Sequence, residues 1–140
     1  RRATHDATRL RGWGRAMNNP EVTMHDRQLP TRFDALDKAT RAAGISIALV
    51  MRVPKTLRPI ADQIIRSASS VAGNLAEGSG RSGRDQLHYW RIAYGSAKEV
   101  DTHLRLLVGA GAIDIKKATT AIRLFDDVRA MTWRLLHPTP

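Results

Sequence analysis

From residue 31 onward the apolar positions of this chain recur at helical period. Phe33, Leu36, Thr40, Ala43, Ile47 and Val50 are spaced 3, 4, 3, 4 and 3 residues apart, which predicts one face of an amphipathic helix. Thr31 or Asp34 can cap its start. Val53-Pro54 ends it, because a residue before proline is pushed out of the α region. A second helix is predicted from Pro59, whose missing N–H is not needed in a first turn. Its stripe is Ile60, Ile64, Ala68, Val71 and Leu75, widened by Ala61, Ile65 and Ala72. Ser67, Ser69, Ser70 and Gly73 make one of its surfaces small, which lets another helix approach closely. Gly78-Ser79-Gly80 stops it, with Gly78 or Gly80 free to take a left-handed cap.

A third helix is predicted from Ser82, with Asp85 three residues on as a capping-box-like partner. Leu87, Trp90, Tyr94, Ala97, Leu104 and Val108 run along it at helical spacing, flanked by Ala93, Val100 and Leu107. Gly95 interrupts this helix in mid-course, and a close crossing with another helix would account for it. Gly109 or Gly111 is a candidate C-terminal cap. The fourth helix begins at Asp114, an acceptable N-cap, and presents Ile115, Ala118, Ala121, Ile122, Phe125, Val128, Met131 and Leu135, with Leu124 and Leu136 beside them. His137-Pro138 ends it. No segment alternates with period two, and no internal repeat suggests a solenoid. Helices of roughly 18–28 residues joined by short turns predict an all-α, antiparallel up-down-up-down four-helix bundle over residues 31–140.

Residues 1–30 differ. They hold six Arg, three acids and two prolines, with a Gly-Trp-Gly break and an Asn-Asn-Pro turn signal. They predict a flexible basic arm, and the lack of an apolar core excludes a secretory signal. The chain opens on Arg, with Met17 and Met24 as candidate starts.

Composition narrows the function. The 140 residues suit one domain, able to bury about two-thirds of its unfolded surface without a staple. There is no cysteine, which excludes disulfides, thiolate metal sites and cysteine catalysis. The longest apolar run, Ile45 to Val50, is far short of a membrane span, so a cytoplasmic protein is expected. Lys and Arg number 23 against 13 Asp and Glu, a net charge of +10. That balance draws a protein to polyanions. Aromatics are only 5%, which disfavours base-stacking platforms.

Candidate chemistry is thin. No His pair sits at i, i+4, and no HExxH string occurs. Di-iron bundles need Glu-x-x-His on two helices, whereas this chain has three Glu, and Glu99 is four residues before His103. Neither a metal nor a cofactor is expected. The serines at 67, 69 and 70 lack the strand and Gly-x-Ser-x-Gly elbow of a hydrolase. The run Gly78 to Asp85, GSGRSGRD, lacks the Gly-Lys-Ser/Thr ending of a phosphate loop and reads as an interhelix turn. No coherent catalytic set emerges, so no enzymatic activity is expected.

The segment Asp62 to Leu107 resembles the four-helix-bundle proteins encoded in intervening sequences of bacterial 23S rRNA genes. The resemblance rests on Asp62, Gln63, Ile64 and Arg66; on Asn74, Leu75, Ala76, Glu77 and Gly78; on Gly80 and Arg81; and on Ile92, Ala93, Gly95, Ser96 and Glu99. These motifs span about a third of the chain, and the helix layout extends the likeness to everything after residue 30. The resemblance implies a homopentamer without enzymatic activity. A related branch, the accessory proteins of diversity-generating retroelements, implies a reverse transcriptase and nucleic acid as partners.

Asn74 and Glu77 are three apart on one helix face, and Ser96 and Glu99 repeat that spacing on the next. With Gly78 and Gly95 they are read as structural or assembly residues, building a polar network with Arg66 or Arg91. Trp90, Ile92, Tyr94, Leu106, Leu124 and Trp133 cannot all face one core seam, which predicts a homo-oligomer. A polyanion contact is expected at Arg81 and Arg84, on the turn between the second and third helices. Up-down-up-down topology brings Arg32 and Arg134 to the same end. The two functions in competition are a nucleic-acid-binding scaffold and a purely structural or protein-interaction oligomer whose charge only aids solubility.

Overall fold

The computed structural model describes residues 32–140, with side chains from Asp34 onward. The expected arm over residues 1–30, and the side chain of Arg32, lie outside the described residues. Four helices follow in order: α1, Arg32–Val50; α2, Arg58–Ser79; α3, Gly83–Gly109; and α4, Ile115–Leu136. A single 3₁₀ turn, Lys55–Leu57, precedes α2. No strand occurs among the described residues. α1 packs on α2, α2 on α3, α3 on α4, and α4 closes the ring on α1. Cross-helix contacts fix the directions. Gly78 meets Trp90 while Ser70 meets Ser96, so α2 and α3 are antiparallel. Lys38 of α1 reaches Asp127 of α4, and Ile45 shares a cleft with Lys117 and Thr120, so that pair is antiparallel too. Tyr94 against Trp133 and Arg105 near Asp126 give the same sense for α3 and α4.

The core is built from Phe125, Ile64, Leu104, Leu107, Val50, Val71, Val100 and Val128, all fully buried. Each contributes roughly 1.5–3 kcal/mol by leaving water. Alanines fill the seams between them. Ala61 and Ala68 of α2 and Ala93 and Ala97 of α3 are buried, and these small side chains permit the extensive α2–α3 packing.

The helix boundaries follow the sequence signals closely, but four local readings change. On α1 the core face is Ala35, Ala39, Ala42, Ser46 and Val50, rotated from the expected stripe. Thr40 is exposed and returns its hydroxyl to the Leu36 carbonyl at 2.9 Å, while Leu36 and Ile47 sit half-buried at the flanks. Neither Gly78 nor Gly80 is left-handed. Gly80 stays in the right-handed region (φ −87°), and Gly78 is helical and buried. The left-handed glycines are Gly83 (φ 58°) and Gly111 (φ 67°). Gly111 closes α3 as expected: its N–H donates to the Val108 carbonyl and the Ala112 N–H to the Leu107 carbonyl, both at 2.9 Å. This is the paired C-terminal cap that a left-handed residue permits. Ser82 occupies the N-cap position of α3 in extended geometry, but its side chain makes no capping hydrogen bond. Asp114 does cap α4, accepting from the Lys117 N–H at 2.8 Å. Finally, a Cβ added at Gly95 would meet nothing within 4 Å, so no crossing inside the protomer explains that glycine.

Candidate functional site

Helical periodicity places Gln63, Arg66, Ser70, Gly73, Asn74 and Glu77 along one outer stripe of α2. The facing stripe of α3 carries Ile92, Gly95, Ser96 and Glu99. Together they line the outer groove between the two helices. Asn74 Nδ2 donates to the Ser70 carbonyl at 2.7 Å and to Ser70 Oγ at 3.0 Å. Ser70 Oγ and Ser96 Oγ share a hydrogen bond of 2.9 Å across the groove. With its amide oriented to satisfy both neighbours, Gln63 donates to Glu99 Oε1 at 3.3 Å and accepts from an Arg66 guanidinium nitrogen at 3.0 Å. The polar side chains form two separate clusters rather than one enclosed network: Ser70, Asn74 and Ser96 are half-buried, while Arg66 and Glu99 are exposed. Arg66 joins its cluster through Gln63, and Arg91 is exposed. Glu77 belongs to neither cluster: it turns to Arg81.

Gly78 has a steric role. A Cβ there would lie 2.6 Å from both Cδ1 and Nε1 of Trp90, which is 2% exposed. Only glycine lets the indole cover the end of α2. Gln86 completes that end, donating to the Gly78 carbonyl at 3.0 Å and the Arg81 carbonyl at 2.8 Å.

The expected polyanion cluster is assembled in part. Arg81 and Arg84 lie on and just after the α2–α3 turn, and both are exposed. Arg134 reaches the same end, lining a cleft of about 400 Å³ with Gly83, Gln86, Leu87, Trp90, Leu135 and Pro138. Arg32 is the first residue of α1, and α1 begins at this end. Arg81, however, is engaged. Its Nε and Nη2 donate to Glu77 Oε1 at 3.0 and 2.5 Å, and its guanidinium lies 5.6 Å from the centroid of the Tyr89 ring. The hydrogen bond and charge of Glu77 raise the pKa of Arg81 above its ordinary value. A cation already facing a carboxylate offers a phosphate less.

Two members of these clusters lie outside the residues expected to build the network, Ser70 and Gln63. Ser70 lies four residues before Asn74, one turn away, so helical spacing could have found it. Gln63 meets Glu99 only once the register of α2 against α3 is known. No group of three or more His, Asp or Glu among the described residues could hold a metal ion. No helix among them is long and apolar enough to cross a membrane.

The geometry defines a class first: an antiparallel four-helix bundle with a basic surface and a polar seam in the groove between its second and third helices. The chain belongs to the family described as 23S rRNA-intervening sequence protein, whose model matches residues 31–134. A crystal structure at 1.70 Å of a protein of unknown function from the S23 ribosomal protein family, from Bacteroides thetaiotaomicron VPI-5482, is similar to it. The likeness covers 75% of this chain and 96% of that one, with a TM-score of 0.67 and 19% sequence identity. At that identity the likeness is one of fold. No curated protein matches the chain.

Proposed function

We propose that the protein is a non-enzymatic, cytoplasmic homo-oligomeric scaffold, a pentamer, that binds nucleic acid through its phosphates. The observation that carries this reading is the surface charge. Residues 31–140 hold 17 basic against 10 acidic residues. The ion pairs among the described residues engage Lys38, Arg81, Arg105 and Arg129. Most of the other basic side chains face solvent. A pentamer would carry about +35 from its bundles alone, a field that attracts nucleic acid with little sequence preference.

Assembly is supported by the outer faces of α2, α3 and α4. Gly73 and Gly95 stand in mid-helix with open space where a Cβ would go. Each costs about 1 kcal/mol relative to Ala, and nothing inside the protomer requires either. Ile92, Leu106 and Trp133 are exposed by 38%, 53% and 51%. A facing copy would use the small residues for close approach and cover the apolar ones. A reverse transcriptase remains the protein partner suggested by the retroelement branch, and an adjacent reverse-transcriptase gene with repeated template DNA would favour it.

The test is fluorescence anisotropy with a labelled RNA or DNA duplex at low salt, alongside light scattering. Affinity should fall steeply as salt rises, because binding releases condensed counterions. No measurable binding at low salt would leave a purely structural or protein-interaction oligomer. A monomeric mass at micromolar concentration would remove the assembly.

A further inference from the structure

The two ends of the bundle differ in their balance of charge. At the end holding the α2–α3 turn, Arg81, Arg84 and Arg134 share the region with Asp34, Asp37, Glu77 and Asp85, three cations against four carboxylates. One of those cations, Arg81, is paired with Glu77. The opposite end holds the α1–α2 connection and the α3–α4 turn. There Arg52, Lys55, Arg58, Lys116 and Lys117 are all exposed, and the carboxylates nearby are Asp62 and Asp114. Asp114 is committed to capping α4. None of the five cations takes part in the ion pairs among the described residues. Helix dipoles do not separate the ends, because each carries two helix starts and two helix finishes. The side chains alone make the difference.

We infer that the end bearing Arg52, Lys55, Arg58, Lys116 and Lys117 is the principal contact surface for a nucleic-acid duplex, bound through its phosphates. The inference rests on the proposed nucleic-acid reading and assigns the surface that performs it. The cations there sit on ordered backbone. Val53 is buried, and its N–H bonds the Val50 carbonyl at 3.3 Å. Leu57 packs on the core and donates to the Pro54 carbonyl at 2.9 Å. Arg52 and Lys55 are thus held between anchored neighbours, and Arg52 and Lys117 line one cleft. Little of their arrangement has to be imposed on binding.

The partner follows from what else this end holds. Among the described residues no Trp or Tyr lies there: Tyr89, Trp90, Tyr94 and Trp133 all belong to the other half of the bundle. Splayed bases would find nothing to stack on, which favours the outside of a duplex over a single strand. The face is about 20 Å across, two helix diameters. That length of B-form duplex carries about 12 phosphates, more than enough for five cations. An anionic membrane fits less well. Met51, Ile115 and, on the last turn of α3, Leu106 are exposed apolar side chains at this end, but the helices meet the face end-on and lay no apolar stripe along it. The chain's own first thirty residues, with six Arg and three acids, would be repelled by it.

The experiment compares the two ends in the full chain, using a labelled mixed-sequence DNA duplex of about 20 base pairs at about 50 mM salt. One variant carries Arg52→Gln, Lys55→Gln and Lys116→Gln; the other carries Arg84→Gln and Arg134→Gln. All five side chains are exposed, so folding and mass should match wild type, checked by circular dichroism and light scattering. The triple variant should lose at least about 30-fold in affinity, and its log–log salt slope should become shallower by about 2.7, or 0.9 per lost phosphate contact. The double variant should stay within about threefold of wild type. The inference is overturned by a triple variant within threefold of wild type, by a double variant that loses as much, or by tighter binding to phosphatidylserine vesicles than to the duplex. Wild-type protein that binds no duplex at all defeats the nucleic-acid reading itself, an outcome separate from these.

Discussion

Gly78→Ala adds one methyl group at a place where the structure leaves no room for it. The new carbon would lie 2.6 Å from two atoms of the Trp90 indole and 3.3 Å from the Gln86 carbonyl oxygen. Carbon atoms pack at about 3.5–4.0 Å, so the ring or the helix carrying it must retreat by about 1 Å. The indole is rigid and almost fully buried, and the atoms struck are in its five-membered ring rather than at the end of a flexible chain. Overpacking of this kind costs about 1–3 kcal/mol. Alanine's better helix propensity offsets less than about 1 kcal/mol, since Gly78 is the penultimate residue of α2. The net loss should be about 1–2 kcal/mol, or roughly 4–8 °C in Tm for a domain of this size. Thermal melts at fixed protein concentration read the loss, and near-UV circular dichroism reads the displaced indole. Combining Gly78→Ala with Trp90→Phe should recover part of the loss relative to the two single changes added together, because the smaller ring relieves the contact. A Gly78→Ala protein as stable as wild type, or a double variant whose losses simply add, would refute the steric account.

Other positions give sharper contrasts. Gly73→Ala and Gly95→Ala place the same methyl group into open space. Each should stabilise an isolated protomer by up to about 1 kcal/mol, yet lower the oligomeric mass by light scattering if those faces meet another copy. Asp114→Ala removes the cap of α4 and should cost about 1 kcal/mol in chemical denaturation. Gln86→Ala strips two carbonyls at the end of α2 of their side-chain donor. It should cost about 1 kcal/mol and hasten amide exchange around the α2–α3 turn.

The course of the chain was largely legible in its sequence, for identifiable reasons. Val53-Pro54 and Asp114 are strong local punctuation, and the stripes of α2, α3 and α4 are carried by residues large enough to stand out. The face of α1 is hard to read because its core contacts are mostly alanines. Ala35, Ala39 and Ala42 weigh less in a hydrophobic pattern than Leu36 and Ile47, yet they are the residues that let α2 and α4 come close. The glycines were harder still. Glycine at positions 78, 83 and 95 looks alike in sequence. In the fold, Gly78 yields to an indole, Gly83 takes φ 58°, and Gly95 faces open space. Register between helices decides the first, backbone geometry the second, and neither is written in local spacing. The turn cluster shows the same limit. Topology placed Arg134 beside the α2–α3 turn correctly, but the Glu77–Arg81 pair, one helical turn apart, had already engaged one member of the cluster.

That pairing bears on what the family motif is for. Asn74 donates to Ser70, Ser96 and Ser70 share a hydrogen bond between their hydroxyls, and Glu99 accepts from Gln63. Glu77 holds Arg81, and Gly78 admits Trp90. Each residue is accounted for by a partner within the same protomer. A ligand arriving at the groove would have to compete with hydrogen bonds already made, and at Ser70, Asn74 and Ser96 breaking them would leave half-buried polar groups unsatisfied. Within the protomer these contacts tie α2 to α3 in one register. A register slip would separate Ser70 from Ser96 and drive Gly78 off Trp90 together. Two features of the groove remain outside this account, Gly73 and Gly95, and both are outward-facing. The groove thus divides by direction: residues turned into the seam join the two helices, and Gly73 and Gly95 leave its outer surface open. The basic side chains at the far end belong to neither set, so they can be substituted without disturbing the seam that joins α2 to α3.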